Sequence, residues 1–300
     1  MQIGIYRGDA TNGPIDKIVG AARAAAGAGY GSFWLPQTMG MDSMTALAVV
    51  GREVPGIDLG IAVVPTFPRH PIVMAQQALT VQAITGGRLR LGIGLSHQPI
   101  IEGSYGLSFD KPVRHMREYL EALLPLVREG SVSYGGDTIT ARIGLDVRGS
   151  SPVQVLLAAL GPKMLELAGA MADGTATWMT GPATLAQHVV PTIRTAAEAA
   201  GRPAPIIGAG FPICVTDDVA GARAKAAETF AIYGSLPSYR AMLDREGAAG
   251  PGDVALVGDE SAVARQIAGL GEIGVTELIA SIFGSVEERE RTDAFLRTLL

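Results

Sequence analysis

Short runs of β-branched and other apolar residues, each closing on Gly, Pro or a small polar residue, alternate along the chain with Ala- and Leu-rich stretches of helical periodicity. The runs predict strands at Gln2–Tyr6, Ser32–Leu35, Asp58–Val64, Arg88–Leu95, Val153–Ala158, Thr175–Met179, Ile206–Val215 and Val275–Ser281. Helices are predicted between them at Ile15–Gly27, Ser43–Glu53, Ile72–Ile84, Val113–Arg128, Pro162–Met171 and Leu185–Ala200. A long helix from Val219 to about Arg245, then Ser261–Leu270 and a closing Val286–Leu300, complete the series. Eight strands interleaved with helices predict an α/β fold, a (β/α)8 TIM barrel, as one domain over residues 1–300.

Two strand-to-strand steps are about twice the roughly 30 residues that a βα unit needs. The first excess, about 96–151 after the fourth strand, contains a helix and then SVSYGGDTITARIGLDV, whose alternation around Gly-Gly predicts a small β-hairpin. The second, about 216–274 after the seventh strand, holds the long helix and LPSYRAMLDREGAAGPGD. Loops at the C-terminal face of a barrel tolerate insertion and carry function, so both insertions are expected to roof the site. Asp42 or Ser43 is placed to cap the helix after the second strand, and Asp217 or Asp218 the long helix. Gly27, Gly29 and Gly31 follow a helix and lead into a strand, the reverse of a dinucleotide turn, and read as a helix stop.

With 48% hydrophobic and 18% charged residues, the chain falls short of the usual quarter charged, as expected where strands are buried on both faces. A net charge of -5 with no basic run argues against a nucleic-acid partner. The opening MQIGIYRG has neither the basic region nor the apolar stretch of a signal peptide, and no window is apolar enough to span a bilayer, so a cytoplasmic protein without a membrane partner is expected. The single cysteine, Cys214, has no Cys or His neighbour at metal-ligand spacing and reads as a buried apolar side chain; no metal site is expected.

Phosphate-loop, nucleophile-elbow and zinc-helix motifs are all absent, and the four histidines, His70, His97, His115 and His188, leave few groups that titrate near neutrality. Chemistry is therefore expected to rest on a bound cofactor. Three strand ends would point at one barrel mouth. IAVVPTFPRHP closes the third strand with a rigid turn, in which His70 before Pro71 sets up the next helix. In LRLGIGLSHQ, Gly92 and Gly94 either admit a flat ligand or pack the barrel tightly, and Ser96-His97-Gln98 follows at the strand end. In VLLAALGPKMLELAG, a helix opening at Gly161 and Pro162 would offer the amides of Lys163 and Met164 to an anion, with the Lys163 charge beside them. Met39, Met41, Met44 and Met74 are expected to fill the apolar mouth and the helix core around it.

VVPTFPRHPIVMAQQALTVQAITGGRLRLGIGLSH together with VLLAALGPKMLELAGAMADGTATWMTG resembles the bacterial luciferase-like superfamily, and in detail its actinobacterial branch that uses the deazaflavin coenzyme F420. The resemblance implies a tricyclic ring lying against a bulge within Ile61–Val64 that carries a non-proline cis peptide at Ala62–Val63. It implies that Ser96 and His97 approach ring or substrate, with His97 where some relatives place a proton donor. The cofactor phosphate would rest on Gly161, Lys163 and Met164, while Trp178, Met179 and Thr180 would border the cofactor tail and Arg69 could reach it. Relatives that oxidise alcohols or sugar phosphates carry an acid-histidine pair after the second strand, where this chain has Gln37 and Thr38 in WLPQTMG. Neither acts as a base near neutral pH, which favours hydride donation from reduced F420 to an unsaturated or carbonyl substrate, with His97 or water as proton source. The alternatives are an FMN-dependent monooxygenase and a non-catalytic flavin- or deazaflavin-binding protein. By analogy the partner is a small-molecule substrate and the assembly a homodimer paired through Ser43–Glu53 and Ile72–Ile84.

Overall fold

The structure is a computed structural model describing residues 1–300. Eleven strands form: β1 Gln2–Tyr6, β2 Ser32–Leu35, β3 Asp58–Pro65, β4 Leu89–Gly94, β5 Ser131–Gly135, β6 Thr140–Gly144, β7 Gln154–Leu157, β8 Gly174–Trp178, β9 Ile206–Val215, β10 Leu256–Gly258 and β11 Glu277–Ile282. Eight of them close a parallel ring in the order β1-β2-β3-β4-β7-β8-β9-β11, with β11 back on β1. This is the (β/α)8 barrel that the alternation predicts. The antiparallel hairpin β5–β6 is the one expected in the insertion after the fourth barrel strand. β10 was not expected: three residues pair with the last residues of β9 outside the ring, too short a run to register as a strand.

The first helices are α1 Ile15–Ala28, α2 Ser43–Glu53, α3 Pro71–Thr85, α4 Gln98–Gly103, α5 Pro112–Glu129 and α6 Pro162–Met171. Gly29 ends α1 in the left-handed region at φ 93°, as the helix-stop reading requires. The Asp42 side chain accepts from the Thr45 amide at the start of α2, and His70 Nδ1 accepts from Ile72 N at the start of α3. The predicted Leu185–Ala200 helix begins earlier, as α7 Pro182–Thr184, and passes through a π turn at Leu185–Val189 into α8 Val190–Ala199.

The long helix expected from Val219 to Arg245 is three pieces, α9 Val219–Thr229, α10 Ala231–Ser235 and α11 Pro237–Glu246. Pro237 supplies no N–H and holds Leu236 extended at ψ 125°, so the helix cannot run through it. Asp218 caps α9 through the Gly221 amide, whereas Asp217 pairs with Arg291. α12 Glu260–Glu272 and α13 Val286–Arg297 complete the outer ring. No helix is long and apolar enough to cross a membrane.

Inside the ring, side chains alternate in layers. At the N-terminal floor the buried Glu277 carboxylate accepts from Ser32 Oγ, Arg90 and Trp34 Nε1, the last at 3.0 Å. Arg90 also pairs with Asp58 at 2.5 Å and donates to Gln2 Oε1 at 3.0 Å. Above this sits the fully buried Trp34. Its ring fits because Gly60 faces it: a Cβ there would lie 2.2 Å from Trp34 Cε3. The barrel is thus closed below, and only its C-terminal mouth can admit a ligand.

Candidate functional site

Strand alternation divides the mouth into a flat half and a bulky half. On the flat half, the cis peptide Ala62–Val63 lies at the break in register between β3 and β4, and both residues stay partly accessible while Val64 turns into the core. Gly92 packs against this bulge so closely that a Cβ would meet the Ile61 carbonyl oxygen at 2.0 Å. Gly94 faces side chains instead, its notional Cβ 2.7 Å from Val63 Cγ2 and 3.1 Å from Ala158 Cβ. Val63, Gly94 and Ala158 therefore form a smooth apolar floor across three neighbouring barrel strands.

The chain leaves this floor under strain. Ser96 has φ 62° and Met179 φ 49°, left-handed values that side-chain-bearing residues rarely adopt, and they lie two residues and one residue past the ends of β4 and β8. His97, next to Ser96, starts α4 without capping it and stands half-buried with its ring centroid 6.0 Å from that of Tyr239. Burial pushes its pKa below the ordinary histidine value, so it is neutral at pH 7.

Beyond β7 the helix α6 opens at Gly161 with no side-chain cap, and Gly161, Pro162 and Lys163 are exposed. No protein group accepts from the amides of Gly161 or Lys163. The Met164 amide, expected to be free, donates back to the Gly161 carbonyl at 3.1 Å, so Met164 drops out of the expected seat and the open donors are Gly161 and Lys163. The preceding Leu160 carbonyl accepts from His188 Nε2 at 2.8 Å, which pins the turn. A free helix start with a neighbouring lysine is a seat for an anion.

The bulky half consists of aromatic rings, most of them missed in the sequence. Tyr6, at the end of β1, stacks on Trp178 at 5.4 Å. Phe230 and Tyr233, from the insertion after β9, meet the edge of Trp178, and Tyr239 packs against Tyr233 at 4.9 Å. The position of Tyr6 at a strand end was the available signal; the α10–α11 rings carried none, because a continuous helix was expected there. Trp178 points inward, whereas Met179 and Thr180 are buried, Met179 against Leu243 and Val254 of the insertion.

Other candidates take structural posts. Arg69 is ion-paired with Asp42 at 2.5 Å, Gln37 accepts from the Ser43 amide, and Cys214 is buried. Met44 and Met74 are fully buried, but Met39 is 75% exposed and fills nothing. His115 lines a cavity of about 410 Å³ beside the mouth, stacked 3.9 Å from Phe67 and sharing a 3.0 Å hydrogen bond with Thr66 Oγ1. No three His, Cys, Asp or Glu side chains gather as a metal site.

Residues 3–277 match the luciferase-like monooxygenase family. A protein of Mycobacterium tuberculosis, whose name proposes it as a coenzyme F420-dependent oxidoreductase, is 30% identical over 194 residues, 58% of this chain and 54% of that protein. A 5,10-methylenetetrahydromethanopterin reductase of Methanolobus tindarius is 27% identical over 71% of this chain and 65% of its own length. The match thus spans less than two thirds of either relative. Among solved structures, the coenzyme F420-dependent tetrahydromethanopterin reductase of Methanopyrus kandleri superposes with a TM-score of 0.81 at 21% identity, covering 99% of this chain and 97% of that one. An F420-dependent secondary alcohol dehydrogenase, solved with an F420-acetone adduct, also gives 0.81, at 17% identity over 100% and 98%. These two likenesses show that the barrel is shared.

Proposed function

The chain belongs to the luciferase-like monooxygenase family, and we propose that it is an oxidoreductase moving a hydride between coenzyme F420 and a small organic substrate, in the direction of substrate reduction. The observation that carries this reading is the pairing of the smooth floor at Val63, Gly94 and Ala158 with the open amides of Gly161 and Lys163. A planar tricycle with an anionic arm fits that pair: the floor is built from glycine, alanine and valine, and the helix start has donors without acceptors. When bound, the reduced deazaflavin supplies a carbon-centred hydride. The chain's own residues bind the arm at Gly161 and Lys163, flank the ring at Ala62, Val63 and Ser96, and close the mouth with the α10–α11 rings, while Val64, expected beside the ring, is buried in the core. His97, neutral at pH 7, offers an imidazole N–H to the developing anion of the substrate. Gln37 and Thr38 leave no base beside the second barrel strand for alcohol oxidation.

The name of the similar mycobacterial protein supports F420 as the cofactor. The same fold also occurs in a Baeyer-Villiger monooxygenase solved with FMN, so the test must separate the two cofactors. Anaerobic mixing of the protein and chemically reduced F420 with a panel of enones and imines should give substrate-dependent reoxidation, followed by absorbance. Oxygen uptake with reduced FMN, and no reaction with any substrate under F420, would replace this reading with the monooxygenase one. A homodimer through α2 and α3 is part of the same proposal, supported by Val49, Val73 and Ile84 standing exposed on those helices. Sedimentation should give about twice the chain mass, and Val73→Asp should return the monomer; a monomeric wild type contradicts the pairing.

A further inference from the structure

The barrel mouth contains one buried polar atom with nothing to bond to. Trp178 Nε1 is shielded from solvent and has no acceptor; the other such atom, Gln266 Oε1, lies away on α12. Buried donors are nearly always satisfied, and leaving one bare is costly, so an orphan at a ligand site marks where a ligand's acceptor belongs. The indole is also held in place. It stacks on Tyr6, abuts Phe230 and Tyr233, and lies over Gly210, where a Cβ would come within 2.6 Å of Trp178 Cε3. The Tyr233 hydroxyl is near enough for the indole N–H to offset part of the rise that burial gives its pKa, but it stands beyond ordinary hydrogen-bonding distance.

The rings and the imidazole nearest the indole carry no formal charge. Burial pushes the Tyr6, Tyr233 and Tyr239 phenols up and His97 down, so all four are neutral at pH 7. A charged group brought against these rings would lose its hydration and find no counter-ion. An apolar body would lose nothing, and a single oxygen acceptor would satisfy the indole.

We propose that Trp178 is a specificity-determining residue, its N–H receiving the oxygen of a neutral, largely apolar ketone or enone lodged against the aromatic wall, across the mouth from the Val63–Gly94–Ala158 floor that takes the cofactor ring. As a step in reduction this rests on the F420 reading above; as a binding site it does not. A site built to hydrogen-bond one atom discriminates strongly against an analogue lacking it, because its donor is then left bare. Aromatic walls also attract cations, but a cation cannot accept from the indole N–H.

The test is calorimetric binding to the full chain, with and without saturating oxidised F420. Four probes are used: 2-cyclohexen-1-one, 1-methylcyclohexene, 3-oxo-1-cyclohexene-1-carboxylate and tetramethylammonium. The ketone should bind at least tenfold tighter than the hydrocarbon, the carboxylate or the cation. Trp178→Phe should cut the ketone's advantage over the hydrocarbon to below threefold while leaving hydrocarbon affinity unchanged. An unchanged ratio in Trp178→Phe overturns the proposal, as does tighter binding of the carboxylate or the cation to the wild type. Should Trp178→Phe not fold, the four-probe comparison on the wild type decides. A protein that prefers the ketone but binds no F420 would refute the proposed reaction and leave the binding site standing.

Discussion

Gly94→Ala separates a ligand floor from a packing glycine, because Gly92, two residues away on the same strand, is the internal control. A Cβ at Gly92 would sit 2.0 Å from the Ile61 carbonyl oxygen, a backbone atom fixed by the β3–β4 pairing, so Gly92→Ala must distort the barrel and is expected to fold poorly. At Gly94 the near atoms are a Val63 methyl at 2.7 Å and the Ala158 Cβ at 3.1 Å. Small shifts of side chains accommodate it, at a cost of ~1–2 kcal/mol, toward the low end for overpacking. For the ligand the effect is different in kind. A tricycle making ~20 contacts of ~0.15 kcal/mol with this floor loses a quarter to a half of that energy when lifted by 0.5–1 Å, or ~0.8–1.5 kcal/mol, roughly four- to twelvefold in Kd. Urea denaturation of both variants and F420 titration of Gly94→Ala read the two effects separately. A folded Gly94→Ala protein that binds F420 as tightly as the wild type would show that the ring does not lie there.

The remaining predictions concern other sites. His97→Ala should lower kcat for enone reduction by tenfold or more; a turnover number within about threefold of wild type would mean that no proton passes through His97 in the slow step. Burial pushes His115 down to about 4, against about 6.5 when unfolded, so the native state binds fewer protons and its stability falls as pH drops from 6.5 through 4. Full burial would make that worth ~3 kcal/mol, and the ring's partial exposure reduces it to ~1–2 kcal/mol. Denaturation of His115→Gln should show a flatter acid limb over that range, and an identical limb would contradict the assignment. Glu277→Ala takes one of two carboxylates from Arg90, which keeps Asp58 and Gln2, and removes the acceptor of Ser32, so it should cost ~3 kcal/mol in urea denaturation. A loss under ~1 kcal/mol would mean that Asp58 alone satisfies Arg90 and that the Glu277 carboxylate does not hold the barrel floor together.

Most of the barrel was legible because parallel strands buried on both faces give compact apolar runs, and Gly29, Asp42, His70 and Asp218 mark helix ends by local chemistry alone. Reading stopped where tertiary context decides. The stretch from Val219 to Arg245 is Ala-rich enough to read as one helix, but it breaks at Phe230 and again before Pro237, and the rings Phe230, Tyr233 and Tyr239 lie on the resulting pieces. The floor was half visible: the glycines of β4 were evident, but only the fold distinguishes Gly92, which packs on backbone, from Gly94, which faces side chains. At α6 the sequence located the helix start, whereas which amides stay free depends on the Met164-to-Gly161 hydrogen bond. The orphaned Trp178 N–H has no sequence signature, since it depends on the packing of residues from β1, β8 and the α10–α11 insertion.

The most direct test of the account is an equilibrium titration of the protein with F420 and, separately, with FMN, followed by cofactor fluorescence. The account predicts one F420 per chain, bound at least tenfold tighter than FMN, a difference of ~1.4 kcal/mol. Equal or tighter binding of FMN, or no saturable binding of either, would contradict it.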